Sequence, residues 1–236
     1  MKIQRKSVRN EWAQAFLAAF PHTVPVLTGF LTLGFAFGVL MRTKGYGPLW
    51  PFFMSAVCYC GSMQFVALTL LSTAFDPLAA FLMSLMVNAR HLFYGIAMLD
   101  KYRGLGKLRP VLICTLCDET FSMLSGVTPP SQMDAGKFYF CVSLLDYSYW
   151  ALGSALGGLA GGLITFNTKG LDFALTALFI VLLTDQMREK DNRPPALMGI
   201  GVSALALVVF GASGFVLPAM ALLMLLLIAW RKPLCR

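Results

Sequence analysis

Apolar runs recur along this chain, separated by short basic or turn-rich links. A helix needs about 20 apolar residues to cross the ~30 Å hydrocarbon core of a bilayer. By that measure Val24–Met41 is the first spanning candidate, with an earlier start at Phe16 left open. Trp50–Leu71 is next, interrupted by Gly61-Ser62. Pro77–Leu99 carries Asn88, Arg90 and His91, and is followed by the basic loop Lys101–Arg109. Pro110–Val127 carries Asp118 and Glu119, and Lys137–Leu163 contains Asp146. Leu171–Gln186 is shorter; Ala196–Phe210 and Phe215–Trp230 close the series ahead of Arg231, Lys232 and Arg236. The pattern predicts an all-α fold, a polytopic helical membrane protein of about 7–8 hydrophobic segments. Its parts are a basic amino-terminal segment (1–23), a transmembrane helical domain (24–231) and a short basic tail (232–236).

Small residues mark where these helices approach one another. Gly34 and Gly38 are four apart, as are Gly153, Gly157 and Gly161, with Gly158 and Gly162 forming a further pair. Such spacing lines one helix face and lets backbones close on each other.

Composition agrees with a membrane solvent. Of 236 residues, 58% are hydrophobic and 13% charged, against roughly 25% charged in a soluble domain; mean hydropathy is +0.71. The net charge of +8 is not a nucleic-acid footprint, because the basic residues sit in short clusters beside apolar segments, as the positive-inside rule expects. Six cysteines include Cys114-Thr115-Leu116-Cys117, formally C-x-x-C. With no second pair and no nearby histidine, they read as buried small residues, and neither metal nor cofactor is implied. The amino terminus (Lys2, Arg5, Lys6, Arg9) reads as uncleaved and cytoplasmic.

Orientation produces a conflict. If the amino terminus is inside and every run crosses once, the basic loop Lys101–Arg109 falls outside, against the positive-inside rule. Bending Trp50–Leu71 near Gly61, so that it enters and leaves by one side, removes the conflict. The same repair serves Leu171–Gln186. Broken or re-entrant helices build binding sites in transporters, since their freed backbone groups line a cavity.

Polar groups inside apolar runs are the candidate chemistry, since ionisable residues at that depth are costly and are read first as functional. Ser84, Asn88, His91 and Gly95 share one helical face. Arg90 points elsewhere, about 200° around from Asn88 at ~100° per residue. Arg90 calls for a carboxylate partner or a wet cavity; Asp118, Glu119 and Asp146 are available for a structural pair, and a direct role in binding or gating is the other reading. Thr115, Asp118, Glu119, Ser122 and Ser125 form a polar arc on the next helix. His91 is either a packing histidine or a proton carrier. At Gly61-Ser62-Met63-Gln64, a helix restarting after a break presents free N–H groups suited to a carboxylate; an ordinary kink with an interhelical Gln64 hydrogen bond is the alternative. The candidate substrate-binding residues are therefore Gly61, Ser62, Gln64, Asn88, Arg90, Asp118 and Glu119, and the candidates for proton coupling are Glu119, His91 and Asp146.

At these residues the chain resembles the AzlC family, the larger subunit of branched-chain amino acid exporters. The resemblance rests on Gly29-Phe30 through Gly34-Phe35-Ala36-Phe37-Gly38, Gly61-Ser62-Met63-Gln64-Phe65, Asn88-Ala89-Arg90-His91-Leu92-Phe93-Tyr94-Gly95 and Asp118-Glu119-Thr120-Phe121. Trp150-x-x-Gly153…Gly157 and Gly170-Leu171-Asp172-Phe173-Ala174 fit as well. Cys117 stands where members often carry threonine. The resemblance implies efflux of leucine, isoleucine, valine and sometimes methionine from the cell through the inner membrane, with a small AzlD-type membrane subunit as partner. No nucleotide-binding motif is present in the sequence, so a secondary transporter, not an enzyme, is expected. Two other classes compete. An intramembrane hydrolase using Ser62 and His91 lacks a Gly-x-Ser-Gly context. A non-transporting or channel-like subunit would require the buried polar groups to be structural alone.

Overall fold

The computed structural model describes residues 2–72, 76–131, 133–163, 193–211 and 215–230, with scattered positions between 173 and 190. The regular elements among them are helices. They are α1 (Lys2–Thr43), α2 (Trp50–Cys58), α3 (Gly61–Leu70), α4 (Pro77–Ala97), α5 (Leu108–Cys114), α6 (Asp118–Gly126), α7 (Ala135–Ala160), α8 (Arg193–Phe210) and α9 (Val216–Ala229). Two stretches, Glu11–Thr43 of α1 and all of α8, are long and apolar enough to cross a membrane. Helices α4 and α7 have the length, at 21 and 26 residues, but carry Asn88, Arg90 and His91, and Asp146. The expected bend in Leu171–Gln186 and the tail at 232–236 lie outside the described residues, the former largely so.

Helix α1 runs through Pro21 and Pro25 without interruption, so the sequence boundary expected at residue 23/24 falls mid-helix. Each proline removes one N–H and frees a carbonyl. Hydroxyls nearby bond the backbone: Thr23 donates to the Phe20 carbonyl and Thr28 to that of Pro25, both at 2.9 Å.

The glycines predicted to make a close seam do so. Helices α1 and α7 meet backbone to backbone along Gly34, Gly38, Gly153 and Gly157. A Cβ on Gly157 would stand 2.0 Å from the Phe35 carbonyl oxygen, and one on Gly38 would stand 2.3 Å from that of Ser154. Only hydrogen fits at either point. Beside the seam, Trp150 of α7 meets Phe30 edge-on at 5.4 Å and lies against Phe37, which in turn meets Phe65 of α3.

Two predicted segments are broken helices. The first was expected: α2 ends at Cys58 and α3 begins at Gly61, with Tyr59 between them in the left-handed region (φ 30°, ψ 53°). The hydroxyl of Tyr147 donates to the Ala56 carbonyl at 2.8 Å, satisfying one acceptor orphaned by the break. Gly61 lies close against Trp150: a Cβ there would stand 3.0 Å from its ring, tighter than ordinary contact. The second break corrects the sequence reading. Pro110–Val127 is not one helix but α5 and α6, separated at Thr115–Cys117. The polar arc is therefore cut, and the Thr115 hydroxyl turns back to the Val111 carbonyl of its own helix. Asp118 and Glu119 open α6, where the helix dipole favours negative charge. At its other end Lys101 donates to the carbonyls of Leu124 and Ser125, so a residue of the basic loop caps α6.

Large apolar side chains cover the outside. Leu78, Phe81, Leu85, Leu92, Phe93 and Ile96 of α4 are exposed, as are Leu144, Leu152, Leu156 and Leu159 of α7. Apolar faces of this extent belong in lipid.

Candidate functional site

The two helix breaks open onto one cavity. Its wall comprises Tyr59, Cys60, Gly61 and Ser62 from the first break and Cys117, Asp118 and Glu119 from the second. Helix α4 adds Arg90 and His91, and Phe30, Leu33, Phe65 and Trp150 supply an apolar side. Its volume is about 40 Å³, room for a few water molecules and no more.

Arg90 is the centre of the polar wall. Its Nη2 lies 2.9 Å from Asp118 Oδ2, and the same nitrogen donates to the Ser62 hydroxyl. Of the three carboxylates the sequence offered, Asp118 is the one paired. The guanidinium thus ties the start of α3 to the start of α6. Arg90 does leave the helix away from Asn88, but its long side chain returns to the same neighbourhood. Asn88 accepts from the Cys60 thiol at 2.8 Å, two residues before Ser62. Residues expected on different faces of α4 therefore both hold the first break, while Asn88 stays off the cavity wall. Its amide also reaches Ser84 at 3.4 Å, as the shared face predicted.

His91 reaches the cavity, with its ring edge-on to Tyr94, which stacks on Phe121 at 4.4 Å. Its Nδ1 is buried without a hydrogen-bond partner, as is Asp118 Oδ1. Such orphaned groups beside a cavity call for water or ligand.

Gln64 lies behind the wall, fully buried. It donates to Ser55 at 3.0 Å and accepts from the Trp150 indole N–H at 2.6 Å, and Ser55 donates to Ser154 at 2.7 Å. Both amide atoms are thus engaged in joining α2, α3 and α7, the interhelical hydrogen-bond reading of this residue. Asp146 is also fully buried and off the wall; its Oδ2 accepts from Thr120 at 2.7 Å. Among the described residues no three His, Cys, Asp or Glu side chains gather as metal ligands.

Sequence reasoning did not single out Tyr59 or Cys117 as wall residues. Each immediately precedes a helix start or its cap; Tyr59 carries no other signal, and Cys117 only its place where family members often have threonine. Phe30, Leu33 and Phe65 sit in apolar runs that offer no means of telling a cavity side from a lipid side.

Two broken helices, a half-buried ion pair that ties Arg90 of α4 to the start of α6 and a lipid-compatible exterior define a helical membrane protein built around a small internal polar site. The family described as AzlC protein matches residues 25–164, and the chain belongs to that family, as its motifs led us to expect. The branched-chain amino acid transport protein AzlC of Bacillus subtilis is 48% identical over 223 residues, covering 94% of this chain and 87% of that protein. A membrane protein of Haemophilus influenzae is 39% identical over 218 residues, 92% of this chain and 89% of its own. The inner membrane protein YgaZ of Escherichia coli is 24% identical over 184 residues, 75% of each. No solved structure matches.

Proposed function

We propose that this protein is a secondary transporter that exports branched-chain amino acids, leucine, isoleucine and valine with methionine as a further substrate. The observation that carries this reading is the Arg90–Asp118 pair between two helix starts, facing an apolar wall. A zwitterionic amino acid needs a cation and N–H donors for its carboxylate and an anion for its ammonium. Arg90, Ser62 and the backbone from Gly61 can meet the first need, and Asp118 and Glu119 the second. In this geometry the two charges satisfy each other. A zwitterion entering between them exchanges one internal pair for two external ones, with no change in net charge. Its side chain would rest on Phe30, Leu33, Phe65 and Trp150. One methylene in such a pocket is worth ~1–3 kcal/mol, so discrimination among the four substrates is modest. A neutral exchange leaves the driving force to another ion, and we take this to be the proton, acting through Glu119, His91 or Asp146. A small AzlD-type membrane subunit is the expected partner.

We place it in the inner membrane as a multi-pass protein, with its amino terminus and the loop Lys101–Arg109 cytoplasmic; their basic clusters support this, and the first broken helix then bends back to its own side. Cysteine labelling at Leu105→Cys in a cysteine-free background tests this orientation; labelling from outside intact cells would refute it. The transport reading is tested by efflux of labelled leucine from proteoliposomes, with and without the partner. Competition by leucine's amine and acid fragments, each lacking one of the two charges, is expected to be weak. A site that accepts either fragment as well as leucine does not use the ion pair in this way.

A further inference from the structure

Asp146 is the most deeply placed acid described in the fold. It has no exposed surface, its Oδ1 is buried without a hydrogen-bond partner, and neither ion pair among the described residues includes it. An isolated carboxylate in an apolar interior is costly, so packing does not explain it.

Its one hydrogen bond leads back to the cavity. Thr120 Oγ1 donates to Asp146 Oδ2 at 2.7 Å and lies 3.2 Å from Cys117 Sγ, which lies 3.6 Å from Tyr59 Oη. Cys117 and Tyr59 both line the cavity. Three contacts therefore join the wall to the buried acid, and the acid fixes their direction. An ionised carboxylate only accepts, and hydroxyl and thiol groups each carry one proton. Thr120 spends its proton on Asp146, so toward Cys117 it can only accept the thiol proton, for which Glu119 is the rival acceptor. Cys117 in turn accepts from the Tyr59 hydroxyl. With the thiol turned to Thr120, every proton in the row points at Asp146.

We propose that Asp146 is the proton-binding site of this protein and that Tyr59, Cys117 and Thr120 conduct the proton to it from the cavity. The proposal rests on the transport reading above and selects one of its three coupling candidates. In the loading step a hydronium ion in the cavity gives a proton to Tyr59 Oη and becomes water. Tyr59 passes its own proton to Cys117 Sγ, Cys117 its own to Thr120 Oγ1, and Thr120 its own to Asp146 Oδ2. Nothing is oxidised or reduced. The acid is neutral afterwards and the row points the other way, leaving the Tyr59 O–H free to face the cavity. Tyr59 thus presents an acceptor when Asp146 is ionised and a donor when it is protonated. Substrate affinity and proton occupancy are linked through that change, each altering the other by the same factor. The titratable groups facing Asp146 from neighbouring elements are Tyr59 after α2, and Cys117 and Glu119 at the start of α6. Arg90 and Asp118 line the same cavity, paired to each other.

The test uses the full chain in liposomes, with two readouts. The first is the infrared carbonyl band of a protonated carboxyl group, followed against pH; the second is the pH profile of labelled leucine flux. A titrating band present in the parent protein should vanish in Asp146→Asn. Thr120→Val, which keeps shape, and Cys117→Ala, which deletes the sulfur, each remove a link and should flatten the pH profile. They should also slow its response roughly tenfold or more, as loss of a positioned proton carrier does. Thr120→Ser and Cys117→Ser should restore both. A band that survives Asp146→Asn, or a parental pH profile in Thr120→Val and Cys117→Ala, overturns the proposal. If Asp146→Asn does not fold, the Thr120 and Cys117 pairs of variants decide alone. A parent that moves no leucine yet shows the Asp146 band would sink the transport reading and leave the proton site standing. Leucine flux with no such band would do the reverse.

Discussion

The α1–α7 seam and the cavity wall are built from opposite materials. Along the seam, glycines bring two backbones so close that a single methyl group would collide with a carbonyl. At the wall, α4 shows lipid a nearly unbroken apolar face and is fastened to the rest by polar tips: Asn88 to Cys60, and Arg90 to Ser62 and Asp118. Dispersion contacts in a close-packed seam have no alternative arrangement of similar energy. Ion pairs and hydrogen bonds can be exchanged for others of equal strength, including those a ligand or water offers. The seam is suited to be the fixed frame, and the wall the part that rearranges.

The sharpest way to break this contrast is to place bulk on each side of it. Gly157→Val should abolish the monodisperse folded peak in detergent, because its Cβ would meet the Phe35 carbonyl at 2.0 Å; the cost exceeds the ~1–3 kcal/mol of ordinary overpacking. Gly95→Val on α4, where nothing lies within 4 Å, should leave the peak unchanged. If both variants fold equally well, the seam is not the frame.

Next in size is the ion pair. Arg90→Ala should lose leucine flux and lower folded yield, since it strands Asp118. In the double variant Arg90→Ala with Asp118→Ala, yield should recover while flux does not. Recovery of both would make the pair structural and remove it from the binding site. The smallest effect belongs to Gln64, which joins the two regions from behind. Gln64→Ala strands the Trp150 N–H, so thermal stability in detergent should fall by about 1–3 kcal/mol. Leucine affinity in the surviving folded protein should hold. A weakened affinity at unchanged stability would instead bring Gln64 to the substrate.

Much of this is legible in the sequence. Four-residue glycine spacing foretold the seam, and Gly61 in an apolar run foretold the first break to within two residues. Arg90 announced a carboxylate partner, though not which of three, because that choice depends on how helices distant in sequence are placed. The second break was missed for a different reason. Ile113-Cys114-Thr115-Leu116-Cys117 contains neither glycine nor proline, and hydropathy reads straight across it. The available clue was Asp118-Glu119, a pair that favours a helix's first turn over its middle. Tyr59 gave no warning either. A tyrosine at positive φ is uncommon for a non-glycine residue, and tertiary packing with Tyr147 at 5.0 Å between ring centres accompanies it.

The small size of the cavity has a consequence for measured affinities. A space of about 40 Å³ excludes leucine, so the conformation with this geometry contributes nothing to its binding. An apparent dissociation constant is then the intrinsic one divided by the fraction of molecules in a wider form. If that fraction were about one in a hundred, tight intrinsic recognition would register about a hundredfold weaker. Variants that shift the balance toward the wider form would tighten apparent binding without touching a single contact to substrate.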